Sequence, residues 1–181
     1  MSKLRDNARD RILPYLQRLH GYAQFLSRDV KHAEDLVQDA SIKVLTAKNQ
    51  PKDEPAYRTW LFRIVKNTYI DAYRRQQRRQ ATEINFNAID EIPLEYHVRD
   101  ERLINRLAVR NAIAQLKPDH AEILALVDVG GLSYREAADV LELPVGTVMS
   151  RISRARAALL AVLDDQGIQV VKNSMKRDQR G

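Results

Sequence analysis

Residues Ser133 to Leu163, reading SYREAADVLELPVGTVMSRISRARAALLAVL, constrain the fold of this chain more than any other stretch. Ser133 followed by Glu136 is a capping box: the hydroxyl can accept from an early helical N–H while the carboxylate reaches back to the Ser133 N–H. A short helix therefore starts there, with Tyr134, Ala137, Ala138 and Leu141 on its apolar side. It should stop between Glu142 and Pro144, because Pro144 cannot donate a helical hydrogen bond and suits only a first turn. In a second helix Val148, Ile152, Ala155, Leu159 and Leu163 recur at steps of four and three. That makes one buried stripe and turns Met149, Ser150, Ser153 and Arg154 elsewhere. Two helices, a tight turn and a polar outer face form a helix-turn-helix, whose second helix can enter a DNA major groove. Arg151, Arg154 and Arg156 have no acidic residue beside them between Val145 and Val162. Such a face suits phosphates, and arginine with small serines beside it suits base edges. An amphipathic helix pair that binds nothing carries the same apolar pattern.

The chain has 181 residues, which fits one domain or two small ones, and two is the preferred reading. Its net charge of +6 favours an acidic partner without specifying which. The absence of cysteine excludes disulfides and thiolate metal sites and fits a reducing cytoplasm. No apolar run reaches the roughly 18 residues that cross a bilayer, and MSKLRDNARD lacks a signal-peptide core. His20, His32, His97 and His120 are scattered, with no metal-ligand spacing and no glycine-rich phosphate loop. Neither a metal nor any other cofactor is expected.

Upstream, Ile12, Leu13, Leu16, Leu19, Tyr22, Ala23 and Leu26 keep helical spacing from Ala8 to Leu26. Asp29 offers an N-cap to a second helix with a buried stripe of Ala33, Leu36, Val37, Ala40, Val44 and Leu45. Its other face carries Glu34, Asp35, Gln38, Asp39 and Lys43, which also suits a plain solvated surface near a helix N-terminus. A Pro-bounded loop, NQPKDEP, precedes a long third helix with Pro55 at its first position. Tyr57, Trp60, Leu61, Ile64, Val65, Thr68, Tyr69 and Ala72 supply the core side of that helix. Arg58, Arg63, Lys66, Asn67, Arg74, Arg75, Arg78 and Arg79 make a basic flank. Rings among cations suit single-stranded nucleic acid, since bases stack on the rings and phosphates meet the charges; Trp60 and Tyr69 as simple core is the alternative. Residues 80–101 have no sustained period and read as an acidic linker. Helicity resumes near Arg102, with Leu103, Leu107, Ile113 and Leu116 on a core face up to the KPD break at Lys117. A further helix buries Ile123, Leu124, Leu126 and Val127 and stops at Gly130-Gly131. The fold expected is therefore all-α: a domain over residues 1–79, a flexible linker over 80–101, a helix-turn-helix domain over 102–164 and a tail over 165–181.

Three blocks in this order carry a family likeness. AEDLVQDASIKVL at Ala33 to Leu45, TWLFRIVKNTYIDAYRR at Thr59 to Arg75 and GLSYREAADVLELPVGTVMSRISRARAAL at Gly131 to Leu159 resemble regions 2 and 4 of the extracytoplasmic-function sigma factors of bacteria. The resemblance implies a transcription initiation factor without catalytic activity. It would bind RNA polymerase core enzyme in the cytoplasm and direct it to promoter DNA, reading a minus-35 element as duplex and a minus-10 element as melted strand. Asp35, Gln38 and Asp39 then become polymerase contacts. Trp60 and Asn67 fall beside the pocket for a flipped minus-10 base, within the basic face of Arg63, Lys66, Arg74 and Arg75. Met149, Ser150, Ser153 and Arg154 fall on the minus-35 reading face, with Arg151 and Arg156 nearer the backbone. The linker matches the segment that threads toward the polymerase active site, where acidic side chains mimic nucleic acid. Apolar sides on two small linked modules also call for an inhibitory partner, an anti-sigma factor. The chain departs from the family at Pro51, where an aromatic is frequent, at Met149, where a cation is frequent, and at Glu142, where glycine is common. Positive φ at Glu142 would cost of order 1 kcal/mol. The competing functions are a decoy that captures an anti-sigma factor without binding DNA, and a dimeric helix-turn-helix regulator of duplex DNA.

Overall fold

The computed structural model describes residues 9–82, 109 and 111–165, and the side chains of that set apart from 79–82. Every regular element among them is helical. Helix α1 spans Leu16–Ser27, α2 Val30–Thr46, α3 Glu54–Thr82, α4 Pro118–Leu124, α5 Tyr134–Leu141 and α6 Val145–Asp165. None is long and apolar enough to cross a membrane. The acidic linker, apart from the stretch that continues α3 to Thr82, lies outside the described residues, as do Leu103, Leu107 and the tail beyond Asp165.

Local chemistry explains most boundaries. The first predicted helix is broken by a 3-10 turn at Leu13–Tyr15, because Pro14 has no N–H to give to an α-helical ladder, and Leu13 is consequently exposed. Asp29 caps α2, its carboxylate accepting the His32 N–H at 2.7 Å. Asp53 does the same for α3, accepting from Ala56 at 3.1 Å, so α3 begins at Glu54 and Pro55 takes its second position. Pro118 opens α4, which widens into a π-helical turn at Ala125–Val129 where Gly130 N–H bonds the Ala125 carbonyl, five residues back, at 2.8 Å. Gly131, at φ 69°, then reverses the chain. The Ser133 and Glu136 capping box forms in full, with Ser133 N–H on Glu136 Oε2 at 2.7 Å and Glu136 N–H on Ser133 Oγ at 3.3 Å. Helix α5 ends in the left-handed region at Glu142, φ 57°. Pro144 starts α6 by accepting from Thr147 and Val148.

Ala33, Leu36, Ala40 and Val44 of α2 pack with Leu19, Tyr22 and Ala23 of α1 against Tyr57, Leu61 and Val65 of α3. In the other half, Ile123 to Val127, Ala137, Ala138, Val140, Val148, Ile152 and Ala155 are buried together. These two groups are continuous in one core. Phe62, which the one-stripe reading of α3 leaves out, joins them: it is fully buried, tilted on Tyr22 at 5.4 Å between ring centres. Ala72 differs in the opposite direction. Its spacing places it on the core side, yet it is exposed, because α3 runs past its partners and every described side chain from Asp71 to Arg78 is exposed.

Candidate nucleic-acid interface

Helix α6 holds its outer row on a rigid base. Val148, Ile152 and Ala155 are buried, so the side chains between them point out, and Met149, Ser150, Ser153 and Arg154 are all exposed. Arg154 lies along the helix, its Nε and Nη2 donating to the Ser150 carbonyl and hydroxyl at 3.2 and 3.4 Å. Arg151 and Arg156 are placed differently. Both are half-buried and paired, Arg151 with Asp119 at 3.3 Å and Arg156 with Asp128 at 2.6 Å. The second Asp128 oxygen accepts Arg156 Nε at 3.3 Å, and this carboxylate holds the Arg156 guanidinium above its already high ordinary pKa. The α6 sequence contains no acid near these arginines; α4 and its π turn supply them through space.

The basic flank of α3 divides in two. Arg63 and Lys66 face the helix-turn-helix half: Arg63 Nε donates to the Asp139 carbonyl at 3.0 Å, and Lys66 Nζ meets Glu122 Oε1 at 3.1 Å. Trp60 is half-buried against Tyr57, ring centres 5.6 Å apart, while Asn67 on the same side of the helix is exposed. Further along, Arg74 and Arg75 are exposed on the projecting part of α3 beside Tyr73. Tyr73 stacks on half-buried Tyr69 with ring centres 6.4 Å apart. Sequence reasoning passed over Tyr73, although an aromatic four residues from Tyr69 and next to two arginines was the signal for a stacking platform.

On α2, Asp35, Gln38 and Asp39 are exposed, as expected of either reading. Ile42, one turn on from Asp39, is also exposed, at 59% the most open large aliphatic side chain among those described. The acidic row thus ends in an exposed aliphatic side chain, and together they make a strip along α2. Lys43 does not neutralise this row, being drawn to Thr68 Oγ1 at 3.0 Å and Asp71 at 3.6 Å. Among the described residues no group of three or more His, Asp or Glu side chains could hold a metal ion.

Two family models match the chain: Sigma-70 region 2 over residues 12–79 and Sigma-70 region 4 over residues 106–159. The RNA polymerase sigma factor YlaC of Bacillus subtilis (strain 168) is 30% identical over 161 residues, covering 87% of this chain and 92% of that protein. The ECF RNA polymerase sigma factor EcfG of Rhodopseudomonas palustris is 31% identical over 170 residues, 92% of this chain and 90% of its own length. Among solved structures, the sigma factor RpoE of Bartonella quintana, in complex with the anti-sigma factor NepR, superposes with a TM-score of 0.67 at 28% identity. That match covers 86% of this chain and 96% of RpoE.

Proposed function

This chain belongs to the extracytoplasmic-function group of RNA polymerase sigma factors, and we propose that it performs that role through three separate surfaces. The acidic row of α2, Asp35, Gln38 and Asp39, docks on the polymerase core enzyme. Trp60, Arg63, Lys66, Asn67, Arg74 and Arg75 of α3 meet the melted minus-10 strand. Met149, Ser150, Ser153 and Arg154 of α6 read the minus-35 duplex, with Arg151 and Arg156 beside the phosphates. The protein acts in the cytoplasm as a transcription factor without catalytic chemistry of its own, and an anti-sigma factor controls it, as the partner in the Bartonella complex favours. In this reading residues 1–79 form the core- and minus-10-binding module, 80–101 the linker, 102–164 the minus-35 module and 165–181 the tail.

One observation carries this reading: the outer row of α6 stands exposed on a helix whose opposite side is locked in the core. A decoy for an anti-sigma factor has no use for such a row, and a dimeric duplex regulator has none for the strip on α2. The test is binding of the purified chain to core polymerase and, separately, to duplex DNA. Affinity for both supports the assignment. A folded chain that binds duplex DNA but not core polymerase is the dimeric regulator, and one that binds neither is the decoy.

A further inference from the structure

The outer side of α6 changes character along its length. Its first turns expose Val145, at 38%, and Met149, at 53%, which stand one turn apart as neighbours on the helix surface. Gly146 beside them brings no side chain. Beyond its chain neighbours and its own helix backbone, no atom lies within 4 Å of where its β carbon would stand, so the patch is flat and open. No residue from Val145 to Ser150 is charged. Ser150 gives its hydroxyl proton to the Thr147 carbonyl at 3.0 Å, Arg151 is drawn to Asp119, and Arg154 reaches back only as far as Ser150.

We propose that Met149, with Val145 beside it, reads thymine in the minus-35 duplex by packing on its C5 methyl, so that apolar contact selects one end of the element and Arg154 the other. The proposal rests on the reading of α6 as the minus-35 helix. A side chain with no donor and only a weak thioether acceptor cannot follow the hydrogen-bond pattern of the major groove, and the apolar group that a base pair sets there is the thymine methyl. The N-terminal residues of a recognition helix are those that reach base edges, and the patch continues into exposed Ser150, Ser153 and Arg154. Methionine is unbranched and polarisable, so it can settle on a methyl whose position shifts with the groove. Two apolar residues bordered by serines and an arginine are a narrow footing for a protein, whose anchors sit in a wide apolar centre.

Selection from a randomised duplex library with the full-length chain gives its preferred minus-35 duplex. Each thymine is then replaced singly by deoxyuridine, which loses the methyl and keeps every hydrogen-bonding atom. Fluorescence anisotropy should show at least one such replacement weakening the natural chain about two- to fourfold, the worth of shielding one methyl from water. Met149→Ala cuts an exposed side chain back to its β carbon and should leave the circular dichroism spectrum unchanged. It should bind the thymine duplex more weakly by the same factor and no longer tell thymine from deoxyuridine at that position. Its log–log salt slope should match that of the natural chain, since no phosphate contact is lost. The proposal is overturned if the selected element holds no thymine, if no deoxyuridine replacement weakens binding, or if Met149→Ala keeps the full discrimination. Met149→Ala binding every duplex as the natural chain does would also overturn it and leave the patch to a protein partner. A chain that selects no duplex at all rejects the assignment of α6, and thymine reading with it.

Discussion

Replacing Arg154 by alanine separates base reading from charge attraction. Arg154 is exposed, and its hydrogen bonds run only to Ser150 on its own helix, at 3.2 and 3.4 Å, so the fold loses little when it is removed. Surface changes of this kind shift stability by about 0.5 kcal/mol or less. A bidentate arginine–guanine contact is worth about 1–3 kcal/mol of discrimination, which is about 5-fold to 150-fold in affinity. The loss should fall on duplexes carrying the preferred base at one minus-35 position and vanish on others. Arg156→Ala provides the contrast. Its guanidinium is engaged by Asp128 at 2.6 Å, so the pair must be broken before a phosphate can be bound, and the change costs stability of at most about 1 kcal/mol with little loss of sequence preference. The assay is fluorescence anisotropy against a set of single-base duplex variants at several salt concentrations. Arg154→Ala weakening every duplex equally, with the log–log salt slope reduced by about 0.9, would make it a phosphate contact and refute the reasoning.

Other expectations follow from the same geometry. Asp35→Ala should weaken core-polymerase binding about tenfold with an unchanged circular dichroism spectrum, and unaltered affinity would return the α2 row to a solvated surface. Tyr57 is fully buried beneath the Arg11 guanidinium, 3.7 Å from its ring centre, and its hydroxyl has no hydrogen-bond partner among the described residues. Tyr57→Phe removes an unpaired buried group, so thermal denaturation should show equal or higher stability; a drop of more than about 1 kcal/mol would mean the hydroxyl is paired. Glu54 is held below the usual carboxylate range by the Tyr15 hydroxyl and then by Arg11, and Asp29 by the His32 N–H. Folding therefore favours their ionised forms. That support is complete above the unfolded-state values near about pH 4 and drains as pH falls through the lower folded-state values. Melting temperature should fall on acidification across that window, and less steeply for Glu54→Gln; identical slopes would contradict the assignment.

What was legible in the sequence is what a single helix decides for itself. The capping box at Ser133, the Asp29 cap, the Pro144 boundary and the Val148–Ile152–Ala155 stripe depend on neighbours within a turn or two, and each stands as read. Glu142 does take a positive φ, at the turn position where the family resemblance makes glycine common. Contacts made by two faces of one helix were not legible. Periodicity assigns one buried side per helix, but α3 is covered on one side by α1 and α2 and on another by α5 and the turn at Gly130, so spacing alone shows neither the burial of Phe62 nor the close approaches of Val129 to Gly21 and of Phe62 to Gly130. Val140 on α5 was missed for the same reason. Likewise the exposed row of α6 could be read from spacing. The pairing of Arg151 and Arg156 could not, because Asp119 and Asp128 lie on a different element. Pro14 is a local signal too, and it accounts for the 3-10 turn in the first helix.

The central claim is that this chain gives core polymerase its choice of promoter, and run-off transcription over a promoter library tests it most directly. Core enzyme with the purified protein should yield transcripts from a narrow subset of templates sharing one minus-35 and one minus-10 sequence, and core enzyme alone should not. Transcripts from the same templates with and without the protein, or none with folded protein that binds core enzyme, would contradict the account.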